Sequence, residues 1–96
     1  MATGTLARAA VEDLDILISV LSLPGDTRAR VRACLAPLAD FPLLGPALTG
    51  RWVGMRFLLG PWRWMLLVYR YDEAQDLVVV LTVQDARSSS APTSVG

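Results

Sequence analysis

WRWMLLVYRYDEAQDLVVVLTVQ, residues 62–84 of a 96-residue chain, contains two apolar runs separated by one acidic turn. Both runs are rich in aromatic and β-branched residues and lack the three- and four-residue spacing of a helix, which predicts strands. The turn at 72–76 is too short for a parallel crossover, so the strands are expected to pair antiparallel. The second run is apolar on both faces, which predicts a central position or cover on both sides. With the preceding aromatic stretch, the predicted strands are residues 52–59, 62–71 and 77–84.

The N-terminal half shows helical periodicity instead. A first helix is predicted over residues 9–22, with its core-facing stripe at Val11, Leu14, Leu17, Ile18 and Leu21. Leu23-Pro24-Gly25 ends this helix, because proline cannot continue the hydrogen-bond ladder. Asp26 or Thr27 then caps a second helix.

The apolar positions of the second helix are Val31, Cys34, Leu35 and Leu38. Pro37 lies within this pattern and removes a backbone donor, so the helix is expected to kink or tighten there. Pro42 fixes its end. Cys34 is the only cysteine, which excludes a disulfide framework and predicts a buried core residue.

These elements predict one α+β domain over residues 1–87, with two N-terminal helices packed on a three- to four-stranded antiparallel sheet. Residues 3–8 are the candidate fourth strand. The second face of the sheet is expected to remain available for a partner. Residues 88–96 are small and polar, which predicts a disordered tail.

The composition limits the chemistry. Nine acidic residues balance nine basic ones, every basic residue is arginine, and there is no histidine. No metal-ligand cluster, phosphate-binding glycine loop or serine–histidine pair is present, so we expect neither a metal nor a cofactor. Acidic residues near the N-terminus argue against a signal peptide, and the apolar runs are too short to span a membrane. The sequence therefore predicts a cytoplasmic protein.

Four segments resemble the RelE/ParE superfamily of toxins from type II toxin–antitoxin systems. Their order and spacing carry the resemblance, and they are Leu38–Gly50 (LADFPLLGPALTG), Arg56–Arg63 (RFLLGPWR), Leu67–Asp72 (LVYRYD) and Val78–Val83 (VVVLTV) continuing to Arg87. The resemblance implies a RelE/ParE-like fold and a sheet face blocked by a peptide segment of a cognate antitoxin. It also implies a toxin that acts on a macromolecule.

Candidate catalytic residues follow from the same resemblance. Members similar to RelE cleave messenger RNA on the ribosome, and their cationic positions match Arg63 and Arg87, with Arg56 as a neighbour and Tyr69 in the matching strand. Alternation along the strand predicts a common surface for Arg63 and Tyr69. Arginine cannot act as a base, and no tyrosine follows Arg87, so the remaining candidate bases are a carboxylate such as Asp85 or a perturbed tyrosine.

Three functions remain open at this stage. The first is a ribosome-dependent endoribonuclease, or mRNA interferase. The second is a non-catalytic inhibitor of DNA gyrase similar to ParE, which the neutral charge and the missing proton-transfer groups favour. The third is an inert relative kept as a partner of an antitoxin or as a homodimer. Trp52, Trp62 and Trp64 are expected to pack against each other or against a partner.

Overall fold

The computed structural model describes residues 1–88 and 90–93. The helices are α1 (Arg8–Leu21) and α2 (Thr27–Cys34), followed by 3₁₀ turns at Ala36–Ala39 and Gly50–Trp52. The strands are β1 (Thr3–Leu6), β2 (Arg56–Leu59), β3 (Met65–Asp72) and β4 (Leu77–Asp85). The class is α+β, as predicted.

The two helices end where the sequence indicates. α1 stops as Ser22 enters the left-handed region with φ of 51° and donates its N–H to the Ile18 carbonyl. α2 ends at Cys34, and the segment containing Pro37 continues as a 3₁₀ turn. The tightening expected at Pro37 is therefore confirmed.

The strand order is β1-β4-β3-β2, with β4 in the interior of the sheet as predicted. β2, β3 and β4 form the expected antiparallel meander. β1, however, pairs parallel with β4, so the prediction of a wholly antiparallel sheet is wrong for this strand. The chain between β1 and β4 contains both helices as well as β2 and β3, so it is long enough for the crossover that parallel pairing requires.

A bulge interrupts the pairing of the two long strands. Val68 pairs with Thr82 but Tyr69 pairs with Val80, which leaves Leu81 as the extra residue on β4. Asp13 of α1 meets the strand at this point, where its carboxylate accepts hydrogen bonds from the Thr82 hydroxyl and from the Val83 N–H. The first helix thus fixes the edge of β4 beyond the end of β1.

The main core lies between the helices and one face of the sheet. Met65, Leu67 and Tyr69 pack there with Leu14 and other helix residues. On the opposite face Leu66 and Val68 are only 1% and 0% exposed. These two side chains are therefore covered by neighbouring residues of the same chain. Phe57 and Thr82, the cross-strand neighbours of Val68, flank it there.

The predicted disordered tail, residues 88–96, lies partly outside the described residues, which omit 89 and 94–96. Of the described tail residues, Ala91 is 5% exposed and donates its N–H to the Ser88 carbonyl at 3.1 Å. None of the helices in the described part of the chain is long and apolar enough to cross a membrane.

Gly45 provides a test of the close packing beside β2. A Cβ at this position would lie 2.2 Å from the Phe57 carbonyl oxygen, which is backbone and cannot move aside cheaply. Gly45→Ala should therefore lower the free energy of unfolding by about 1–3 kcal/mol, measured by urea denaturation.

Gly25→Ala is the matched control, because nothing lies within 4 Å of a Cβ there. It should leave stability unchanged or raise it slightly. Equal losses in the two variants would contradict the close approach at Gly45.

Candidate functional site: an arginine pair at one end of the sheet

Pairing of β3 with β4 brings two of the predicted site residues together. Met65 pairs with Asp85, and the Ala86 N–H donates to the Trp64 carbonyl at 2.7 Å. Arg63 and Arg87 adjoin these two positions, so they lie at the same end of the sheet. Arg63 itself is exposed in the loop before β3 rather than in the strand.

The guanidinium of Arg87 is held on two sides. Its Nε and Nη2 atoms donate to Oδ1 and Oδ2 of Asp85 at 2.9 and 2.8 Å, a bidentate ion pair. It also lies over the Trp64 ring, 4.7 Å from the centroid. The Arg87 hydrogen bonds are the main cause of a lowered pKa for Asp85, so this carboxylate is a weak base.

Trp64 belongs to a longer stack. Its ring lies 6.0 Å from that of Trp62 at an interplanar angle of 12°, and Arg30 of α2 lies 5.8 Å from the Trp62 centroid. We call Arg30, Trp62, Trp64 and Arg87 the aromatic ladder. Mutual packing of the tryptophans is confirmed for Trp62 and Trp64, whereas Trp52 contacts Arg51 at 5.2 Å.

Tyr69 is in the core and not on the surface. Its side chain is 0% exposed, and its hydroxyl accepts a hydrogen bond from the Gly45 N–H at 2.9 Å. Burial raises the pKa of Tyr69 above 10.0. The predicted common surface with Arg63 is wrong, because Arg63 precedes the strand and Tyr69 faces the helices.

Arg56 also contacts the backbone around Gly45. It pairs with Tyr69 across β2 and β3, and its Nη1 atom donates to the carbonyls of Gly45 at 2.9 Å and Leu43 at 3.3 Å. Tyr69 lies about 13 Å along β3 from Met65. Arg63 and Arg87 lie near Met65, at the other end of the strand. The four predicted site residues therefore form two groups, Arg63 with Arg87 and Arg56 with Tyr69.

An exposed apolar surface lies beside the second group. Phe41, Leu43 and Leu44 are 65%, 52% and 54% exposed. With Asp40, Pro42 and Tyr71 they line a cavity of about 420 Å³, which we call the apolar groove because most of its lining is apolar. A cluster of exposed large apolar side chains is typical of a surface that binds another macromolecule.

Sequence reasoning did not find the aromatic ladder. Arg30 is separated from Trp62 by the whole junction between α2 and the sheet, and no local pattern connects them. The spacing Trp62-Arg63-Trp64 was a partial signal, because it placed two aromatic rings beside a candidate cation. The sequence predicts that Trp64 packs against another tryptophan or a partner, and it does not indicate the contact with Arg87.

The comparisons with known proteins concern structure rather than sequence. No family model and no curated protein matches the chain. A chain of the toxin–antitoxin complex RelBE2 from Mycobacterium tuberculosis is similar, with 26% identity, a TM-score of 0.64 and coverage of 88% of this chain and 96% of that chain. The intact Escherichia coli RelBE toxin–antitoxin complex contains a second similar chain, with 16% identity, a TM-score of 0.63 and coverage of 92% and 100%. A conserved hypothetical protein from Helicobacter pylori follows, with 22% identity, a TM-score of 0.55 and coverage of 88% and 94%.

The chain therefore has a RelE/ParE-like toxin fold. The resemblance drawn from the four sequence segments is confirmed for the fold. The two RelBE structures are both toxin–antitoxin complexes, so this chain is similar in structure to proteins of such systems.

Tyr69→Phe tests the buried hydroxyl. The substitution leaves the Gly45 N–H without its partner and should lower the free energy of unfolding by about 1–3 kcal/mol near neutral pH. Because the folded-state pKa of Tyr69 is raised, the wild type keeps this proton when the unfolded chain has lost it. The contribution of the Tyr69 proton to the free energy of unfolding is complete below a pH of about 10 and is lost as the pH rises further. Tyr69→Phe should therefore lose less stability at alkaline pH than the wild type. Urea denaturation at neutral and alkaline pH measures both effects.

Tyr71→Phe is the control for the loss of stability at alkaline pH. Tyr71 donates to Asp76 at 2.6 Å, and this hydrogen bond raises its pKa too, but the residue lies outside the Gly45 contact. The Tyr71 variant should keep the alkaline loss that Tyr69 causes. An alkaline loss in Tyr69→Phe as steep as in the wild type would show that burial does not hold the Tyr69 proton.

Proposed function

We propose that this protein is the toxin of a type II toxin–antitoxin system and inhibits translation in the cytoplasm by ribosome-dependent cleavage of messenger RNA. The observation that supports this is that strand pairing places Arg63 and Arg87 at the same end of a RelE/ParE-like sheet. Arg87 presents a planar fork of donors, which suits a phosphate better than a point charge does.

The proposed reaction is an internal transfer within the RNA strand. The 2′-oxygen attacks the adjacent phosphorus, the bond from phosphorus to the 5′-oxygen breaks, and the leaving oxygen takes up a proton. Negative charge accumulates on the phosphoryl oxygens in between. Arg63 and Arg87 stabilise that charge, an effect of about 10²–10³ in rate for one well-placed donor.

The proton from the 2′-hydroxyl needs an acceptor that these two arginines cannot provide. Tyr69 is buried, and the pKa of Asp85 is lowered by its ion pair with Arg87. In the proposed reaction, water or a ribosomal group takes this proton, and the toxin contributes charge stabilisation and orientation. We therefore assign the substrate contacts to Arg63 and Arg87 and a structural role to Tyr69 and Arg56.

The lack of a proton acceptor favours a second candidate, a non-catalytic inhibitor of DNA gyrase similar to ParE. An inhibitor that only binds needs no proton acceptor, and the net charge of zero suits a protein surface as well as a nucleic acid. The inert relative that only binds an antitoxin or itself is the third candidate, and it predicts harmless overexpression.

A cognate antitoxin is the proposed partner of both toxin candidates and of an inert relative that does not pair with itself. Similar chains occur in toxin–antitoxin complexes, and the apolar groove offers the exposed surface that an apolar segment of such a protein would cover. Because Phe41, Leu43 and Leu44 are large apolar side chains that are more than half exposed, we propose that the antitoxin contact lies at this groove.

Induction of the protein without its antitoxin tests the function. We expect growth arrest with cleaved messages on ribosomes, and Arg63→Ala or Arg87→Ala should each slow cleavage by about 10²–10³ because one phosphate contact is lost. Sequencing of message 5′ ends measures the cleavage. Arg28→Ala is the matched control, since Arg28 forms an exposed ion pair with Asp15 away from this site.

The outcomes separate the three candidates. Intact messages with growth arrest and inhibited supercoiling by the pure protein would replace the ribonuclease with a gyrase inhibitor. Unimpaired growth at full expression would remove both toxin activities and leave the inert relative. Loss of arrest in Arg28→Ala equal to that in Arg87→Ala would contradict the assigned site.

Leu43→Asp tests the antitoxin surface. A charge placed in the apolar groove would be desolvated by the partner, so the variant should bind the antitoxin from the adjoining reading frame at least about tenfold more weakly by calorimetry.

Val53→Asp is its control, because Val53 is 73% exposed and lies outside the groove. Antitoxin affinity in this variant should match the wild type. Undiminished affinity in Leu43→Asp would place the antitoxin elsewhere.

A further inference from the structure

The side chain of Arg87 makes two sets of contacts although it is largely exposed. Its side chain is 58% exposed, against 27% for Asp85, so an incoming anion can reach the guanidinium from solvent. A free arginine side chain loses rotamer entropy when a ligand fixes it. Here Trp64 and Asp85 fix the group in advance.

The geometry leaves one edge of the guanidinium for a ligand. Arginine has five N–H donors in a planar fork. Asp85 occupies the edge formed by Nε and Nη2, and the Trp64 ring covers one face. The edge formed by Nη1 and Nη2 is not used by these contacts, and it has the width of a phosphate.

We infer that Trp64 and Asp85 are positioning residues that hold Arg87 ready to bind one RNA phosphate in a bidentate manner. This inference rests on the proposed RNA target and deepens it. Trp64 sets the plane of the guanidinium and Asp85 sets its rotation, while neither touches the RNA. Trp62 and Arg30 extend the stack to α2 and so connect the Trp64 ring to the helical layer.

The test measures binding of a short fluorescein-labelled oligouridylate to the pure protein by anisotropy over a series of salt concentrations. Arg87→Ala should reduce the slope of log affinity against log salt by about 0.7, the contribution of one phosphate contact with a single strand. Trp64→Ala should weaken affinity about two- to fivefold and reduce the slope in the same direction, because the cation–π contact is lost. Trp64→Phe should restore both, since phenylalanine keeps an aromatic face.

The chain offers matched controls for both positioning residues. Trp52→Ala removes a tryptophan that contacts a different arginine, Arg51, outside the aromatic ladder, and should leave the salt slope unchanged. Asp15→Asn removes one negative charge from the Arg28 ion pair, as Asp85→Asn does from the Arg87 ion pair. Asp85→Asn should bind the RNA more weakly than Asp15→Asn, because it loses the bidentate ion pair that orients Arg87.

Several results would overturn the inference. One is a Trp64→Ala variant that stays folded and keeps the wild-type affinity and slope. Another is tighter binding by Asp85→Asn than by Asp15→Asn, which would make Asp85 a competitor of the phosphate. An unchanged slope in Arg87→Ala would remove the phosphate contact itself.

The proposed function can fail separately, because the binding assay uses pure protein and no ribosome. Harmless expression together with the predicted salt slopes would leave this inference standing without the toxin activity. Growth arrest together with unchanged RNA binding in Trp64→Ala would support the toxin activity and contradict this inference.

Discussion

The antiparallel pairing of β3 with β4 is the constraint on which the rest of the structure depends. It runs from Met65 opposite Asp85 to Asp72 opposite Leu77, the longest register in the sheet. β2 and β1 then add to its two sides. The same pairing brings Trp64 beside Ala86, so the arginine that precedes one strand and the arginine that follows the other become neighbours. The candidate site is therefore a direct consequence of strand register.

A second contact, around Gly45, determines the shape of the opposite end. Tyr69 accepts from the Gly45 N–H, and Arg56 donates to the Gly45 carbonyl, so both polar groups of one residue are satisfied by side chains from the sheet. This arrangement anchors an irregular segment to the sheet and satisfies its buried backbone groups. Because the anchor holds Gly45, the preceding Phe41, Leu43 and Leu44 remain at the surface.

Much of the fold could be predicted because it depends on local signals. Periodicity placed both helices, Pro37 indicated the tightened turn, and apolar runs placed the strands to within a few residues. The parallel pairing of β1 could not be predicted, since Thr3–Leu6 has no alternation that specifies a partner or direction. Nor could the bulge at Leu81, because the hydrogen bonds beside it come from Asp13 of α1, which is distant in sequence.

The site was predictable in part because local signals specify the strands that flank it. Arg63 and Arg87 flank strands whose pairing the sequence specifies, so their adjacency follows once the register is known. Tyr69 and Arg56 lie at matching motif positions, but their roles depend on contacts with Gly45 that only the folded chain shows. A motif position gives the place of a residue along a strand, whereas the contacts of its side chain determine whether it can meet a ligand.

Charge explains why positioning matters in this protein. With nine acidic and nine basic residues, the chain has no general field to attract nucleic acid, and several of its arginines are paired with nearby carboxylates. Affinity for a phosphate must then come from a few donors held in the right geometry and not from an excess of positive charge. Arg87, fixed by an aromatic ring and a carboxylate at the end of β4, is such a donor, and its order in the free protein lowers the entropy that binding would otherwise cost.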